Sequence, residues 1–246
     1  MKTSYLFTQL GFAAVTLATW YFFFKIFRQS LHAAPFPEER GKRLFRNTLL
    51  ALVGWTVVVS GLSLSGVLSD FSALPPRFTI VLVVPLVTVI LVVRTETVKI
   101  LLQHTDPAAI IVLQSFRIAV EVLLWLLFVQ NLAPVQMTFE GRNLDVLSGL
   151  TALPVAWLAS RKQLSSFWLI VWNLACLGLL INIVATALLS MPTPLRVFMN
   201  EPGSVIVTRF PVVWLPALLV PMAYGLQFLS LRQVLVGKKR EATVGV

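Results

Sequence analysis

AAIIVLQSFRIAVEVLLWLLFVQ, residues Ala108–Gln130, is 23 residues long and contains fourteen Leu, Ile, Val and Phe. A helix crossing a bilayer needs about twenty predominantly apolar residues, so this stretch is long enough to cross. It also carries Arg117 and Glu121 near its middle. On the insertion scale those two charges cost about 5–7 kcal/mol, and the apolar residues return about 4–8 kcal/mol. Insertion is close to break-even. The charged side of this helix therefore has to face protein or water and not hydrocarbon. At about 100° per residue, Gln114, Arg117, Glu121 and Trp125 fall on one narrow stripe.

The rest of the chain reads the same way. Of 246 residues, 57% are hydrophobic and only 12% charged, against about 25% charged in a soluble domain. Seven apolar segments stand out: 5–27, 47–69, 78–93, 108–130, 144–160, 165–190 and 210–236. The third has room to continue to Leu102. The fifth is short, holds Gly149 and Pro154, and has the composition of a bent or re-entrant piece. The first begins after Lys2 but runs on through Phe22–Phe24 to Lys25 and Arg28, longer than the apolar core of a cleaved signal. The fold expected is all-α, a single domain (1–246) that forms a bundle of about seven transmembrane helices.

Lys and Arg set the orientation. Arg28, Arg40, Lys42, Arg43, Arg46, Arg94, Lys99, Arg161, Lys162, Arg232, Lys238, Lys239 and Arg240 fall on one side, thirteen of the twenty basic residues. Lys2, Arg77, Arg142, Arg196 and Arg209 fall on the other. The reading is N-terminus out and C-terminus in, in a plasma or inner membrane, with anionic lipid as the partner of the cytoplasmic face. The net charge of +10 lies in short connectors, which argues against a nucleic-acid-binding face. The longest inside connector, 28–46, is expected to be extended or turned around His32–Pro37, because each proline biases its predecessor away from helix.

No catalytic, cofactor or metal motif survives inspection. His32 and His104 both lie in connectors, and a haem or zinc site needs histidines within the bundle. Glu38, Glu39 and Arg43 match a Glu-Glu-x-x-x-Arg pattern but lie in a basic connector without intramembrane histidines. Cys176, the one cysteine, reads as a buried small hydrophobe. Small residues on the second segment (Gly54, Ser60, Gly61, Ser63, Ser65, Gly66) and on the sixth (Gly178, Asn182, Thr186) are read as helix–helix contacts, which also suit assembly into a homo- or hetero-oligomer. Pro216 and Pro221 each free a carbonyl one turn back in the seventh segment.

Two constellations are candidate sites. An intramembrane polar site comprises Gln114, Arg117, Glu121 and Asn173, with Arg117 holding an anion or the Glu121 carboxylate. An outer-mouth site comprises Glu140, Arg142, Asn143 and Asp145; it either caps the fifth helix or folds into the bundle to meet the first site. The stretch Gln136–Asp145, with Gln114–Arg117 and Ser230–Gln233, resembles an uncharacterised family of bacterial multi-span membrane proteins. That resemblance implies a bacterial inner-membrane protein and carries no activity with it. The leading expectation is a small-molecule or ion/proton-coupled permease, or a membrane-embedded binding protein. The alternatives are an enzyme on a lipid-like substrate using Glu140, Asp145 or Glu121, and a structural subunit of a membrane complex.

Overall fold

A computed structural model describes residues 2–73 and 75–244, with side chains placed for 5–73 and 75–237. The side chains of Lys2, Lys238, Lys239 and Arg240, which contribute to the charge asymmetry, lie outside the described residues. Those described contain nine α-helices and no strand. They are α1 (Lys2–Ala33), α2 (Glu38–Leu64), α3 (Thr79–Val93), α4 (Glu96–Gln103), α5 (Pro107–Leu113), α6 (Phe116–Val129), α7 (Val146–Ser160), α8 (Ser166–Leu188) and α9 (Val220–Val244). A π-helical turn, Leu215–Leu219, leads into α9. Five helical stretches are long and apolar enough to cross a membrane, and six if α3 and α4 count as one broken span. Each of the seven apolar segments read from the sequence is helical.

The helix ends depart from that reading. The connector 28–46 shrinks to four residues, 34–37, because α1 runs on to Ala33 and α2 begins at Glu38. The proline restriction acts only on the residues directly before Pro35 and Pro37. Beyond them, Glu38 and Glu39 suit a helix N-terminus, and Lys42 reaches back to Glu38 at 2.8 Å. The third segment does continue as helix, but through a 68° bend between α3 and α4.

The small-residue faces are also read differently by the fold. Gly54, Gly61 and Gly178 have open space where a side chain would begin, with no atom of another described helix within 4 Å of that position. Ser60 instead accepts from the Trp214 indole at 2.9 Å, Ser63 donates to the Thr208 carbonyl at 2.7 Å, and Asn182 donates to the Arg142 carbonyl at 2.8 Å.

The seventh segment is the central post of the bundle. The π-turn is buried throughout and α9 packs on α3, α4, α5 and α8. Pro221 removes the N–H that would reach the Ala217 carbonyl, and the indole of Trp55 on α2 donates to that carbonyl at 3.0 Å. A bundle helix with two internal prolines is thus made tolerable by a neighbour's side chain.

Hydrogen bonds define two poles. At one, Thr105 donates to Ser30 at 2.7 Å and Gln233 to the carbonyls of Leu102 and Thr105 at 2.8 and 2.7 Å. At the other, Gln130 donates to Thr8 at 2.8 Å and Ser69 lies 2.7 Å from Thr208. The first pole gathers the ends of α1, α7 and α9 with the start of α2 and all of α4. The second includes the connector 189–214, where the Arg196 hydrogen bond, aided by the Gly203 N–H, holds the Glu201 carboxyl below the usual range.

Candidate functional site

The stripe read from Ala108–Gln130 lies on two helices, because the segment breaks at Gln114 and Ser115. Around the break the backbone bonds tighten to i→i−3, with Gln114 N–H to Ile111 at 3.0 Å and Arg117 N–H to Gln114 at 3.2 Å. Gly149 of α7 packs so close that a methyl group there would sit 2.9 Å from the Ile118 backbone nitrogen. Here α7 crosses backbone against backbone, which only glycine allows. The same approach brings the start of α7 to Arg117.

Arg117 is 1% exposed and grips Asp145 of the 131–145 connector with two donors. Nε donates to Oδ2 at 2.7 Å and Nη2 to Oδ1; Nη2 also reaches the Cys176 carbonyl of α8 at 3.4 Å. Bidentate pairing of this kind is the strong form of the arginine–carboxylate contact. Ser148 adds a donor to Asp145 at 3.2 Å. Glu121, one turn along α6, does not pair with Arg117. Its Oε2 accepts from Asn143 Nδ2 at 2.6 Å, and no donor among the described residues reaches Oε1.

Asn143 joins the two carboxylates. Besides holding Glu121, its amide nitrogen donates to the Met137 carbonyl at 3.1 Å, and its oxygen accepts from the Asp145 N–H at 3.0 Å. The connector can curl in this way because Gly141 lies against the backbone of Val135 and Gln136, where a methyl group would be 2.6 Å from the Gln136 Cα. The outer-mouth group therefore divides. Asn143 and Asp145 are buried in the bundle, whereas Glu140 and Arg142 are exposed. Glu140 accepts from the Trp125 indole at 2.6 Å, and Arg142 lies over the Phe198 ring at 5.2 Å. The four do not form one cluster at the surface.

The intramembrane group divides as well. Gln114 donates to the Ala223 carbonyl at 3.2 Å. Asn173 does not reach the charges; it donates to the Leu169 carbonyl at 2.7 Å and to Ser230 of α9 at 3.0 Å. Sequence reasoning passed over Gln227, which is fully buried and whose amide oxygen has no partner among the described residues. An amide in the middle of an apolar segment was the available signal.

Two adjoining cavities touch the charges. The larger, about 60 Å³, is walled by α3, α6, α8 and the π-turn, with Glu121 and Asp145 set among residues such as Phe78, Leu82, Leu180 and Ile183. The smaller, about 20 Å³, lies between Arg117, Asp145, Leu180 and Ala223. Among the described residues no lysine, and no arginine other than Arg117, lines either one.

A family profile described as a domain of unknown function (DUF8737) matches residues 75–235. The chain belongs to that family. The matched stretch begins just before α3 and contains every residue of the polar core, leaving α1 and α2 outside it. No curated protein and no solved structure matches the chain.

Proposed function

We propose that this chain is a multi-pass integral membrane protein with seven crossings, N-terminus outside and C-terminus cytoplasmic, that works as a proton-linked permease with Glu121 as its proton-binding group. Five to six apolar helices of sufficient length support the membrane reading, as does the wide exposure of large apolar side chains such as Phe7, Val57, Leu91 and Ile181. Orientation follows from the gathering of basic residues at the pole of Ser30 and Gln233.

The carrying observation is the placing of Glu121 on the wall of the larger cavity with only an amide as partner. Arg117 is taken by Asp145, so ionised Glu121 leaves the core one negative charge in excess. A buried carboxylate without a counter-charge is costly, and a bound cation removes the cost. Size selects which one. Pockets for organic ligands start at about 300 Å³, far above 60 Å³. A metal ion such as calcium takes about six or more oxygen ligands, and here the larger cavity's carboxylates are only Glu121 and the already-paired Asp145. A proton fits. The enzyme alternative needs clustered carboxylates under the headgroups, and the exposed Glu140 and the buried Asp145 are held apart.

The test is proton uptake into proteoliposomes loaded with a pH-sensitive dye, driven by a potassium diffusion potential. Wild-type protein should acidify the lumen faster than protein-free vesicles, and Glu121→Gln should lose at least tenfold of that rate. Equal rates for the two proteins would refute the assignment.

A further inference from the structure

Below Arg117 the buried interface of α8 with α9 and α5 is unusually polar. On α9, Ala223, Gln227 and Ser230 follow the i, i+4, i+7 spacing of one helix face. On α8, Asn173, Cys176 and Leu180 share one face at i, i+3 and i+7. The two faces meet level by level. Asn173 bonds Ser230, the Cys176 thiol lies against Gln227 and Ser148, and Leu180 and Ala223 share the smaller cavity. Gln114 enters from α5 at the Ala223 level. Gln233 closes the series at the basic pole, about 15 Å from Ala223 at 1.5 Å per residue.

Along this line four buried side chains carry a polar atom with no partner among the described residues: Arg117 Nη1, Gln114 Oε1, Gln227 Oε1 and Asn173 Oδ1. All four side chains are at most 1% exposed. An unpartnered buried donor or acceptor forfeits its full hydration, and such groups are ordinarily met by ordered water. Four in one file, with a water-sized space beside Arg117 at its upper end, is not the pattern of a sealed apolar interface.

We propose that Gln114, Asn173 and Gln227 line a hydrated file that connects the Arg117–Asp145–Glu121 centre to the basic pole at Gln233, and that this file is the route by which protons reach and leave Glu121. It rests on the permease reading for its purpose but not for its existence. A proton entering beside Gln233 passes from water to water past Ser230, Gln227 and Gln114 and ends on the Glu121 carboxylate. Each hop makes one O–H bond and breaks one, with no change of oxidation state. Arg117 does not repel it fully, because Asp145 cancels most of its charge.

The single cysteine of the chain makes the file testable, since Cys176 sits halfway along it. Full-length protein in vesicles is transferred to heavy water, and the S–H stretching band is followed by infrared spectroscopy as it becomes S–D. Exchange should be complete within minutes in the unsubstituted protein. Gln227→Leu and Ser230→Val, which leave both carboxylates in place, should slow it at least tenfold, and Glu121→Gln should leave it unchanged. Gln227→Met serves as a second, less bulky variant, and unchanged melting confirms folding. A thiol still protonated after hours in the unsubstituted protein means a dry interface and overturns the proposal. So does rapid exchange that ignores Gln227→Leu, Gln227→Met and Ser230→Val, because water then arrives from elsewhere. A dry Cys176 together with Glu121-dependent uptake removes the route and leaves the permease. Rapid, Gln227-dependent exchange with uptake indifferent to Glu121→Gln removes the permease and leaves the file.

Discussion

Asp145 receives two hydrogen bonds from Arg117 although 28 residues separate them, while Glu121, four residues from Arg117 on the same helix, receives none. The connector 131–145 makes this possible by folding back into the bundle instead of capping α7 from outside. Pairing with Asp145 fixes α7 to α6, whereas pairing with Glu121 would have tied α6 only to itself. Removing one member of a buried pair typically costs about 3–5 kcal/mol. Asp145→Ala and Arg117→Ala should each lower the melting temperature in detergent by that much stability, and Arg117→Met with Asp145→Leu should recover at least half. A double variant that loses the sum of the two single losses would show that the two are not coupled.

Glu121→Gln should behave in the opposite way. The amide oxygen of glutamine still accepts from Asn143, and the uncompensated charge is gone. Thermal unfolding should show unchanged or raised stability beside the loss of proton uptake. Asn143→Leu, which strands the Met137 carbonyl, the Asp145 N–H and Glu121 together, should cost more than about 2 kcal/mol. A stable Asn143→Leu protein would mean that the connector is held by something else.

The glycines separate in the same assay. Gly149 meets the Ile118 backbone, so Gly149→Ala should cost about 1–3 kcal/mol through overpacking. Gly178 faces open space, so Gly178→Ala should be neutral or stabilising by up to about 1 kcal/mol through helix propensity. The order reverses only if α7 does not pack on α6 as described.

Trp55 and Pro221 should be coupled through the Ala217 carbonyl. Trp55→Phe strands that carbonyl and should cost about 1–3 kcal/mol. In a Pro221→Ala background residue 221 regains an N–H one turn below, so the same change should cost clearly less. Additive losses would show that the indole bond is incidental.

Much of this was legible in the sequence. Composition and run length gave an all-helical bundle, and the insertion cost of Arg117 and Glu121 placed both inside. Which carboxylate Arg117 takes was not legible, because helical periodicity relates only residues of one helix. Asp145 arrives through a turn that depends on Gly141, and its depth depends on Gly149. The faces around Gly61 and Gly178 misled for a related reason: small residues permit close approach but do not cause it.

The crossing count turns on α7. At fifteen residues it is about 22 Å long, short of a hydrocarbon core of about 30 Å, and it is not among the helices long enough to cross by themselves. The buried part of the connector before it, Gln136–Thr138 with Asn143 and Asp145, fills the missing depth on the side of the second pole. If α7 crosses in this way, its two ends face opposite compartments. Cysteines at the exposed positions Arg142 and Lys162, each in a Cys176→Ser background, distinguish the cases. An impermeant thiol reagent added to intact cells should label Arg142→Cys at once and Lys162→Cys only after permeabilisation. Labelling of both from outside would make α7 a re-entrant hairpin arm, reduce the crossings to six and move the C-terminus to the outer side. Arg161, Lys162, Arg232 and the basic residues near the C-terminus would then face away from the cytoplasm, against the Lys and Arg asymmetry. A reporter fused after Val246 gives the independent check: cytoplasmic activity is the expected outcome, and activity outside would overturn the seven-span topology.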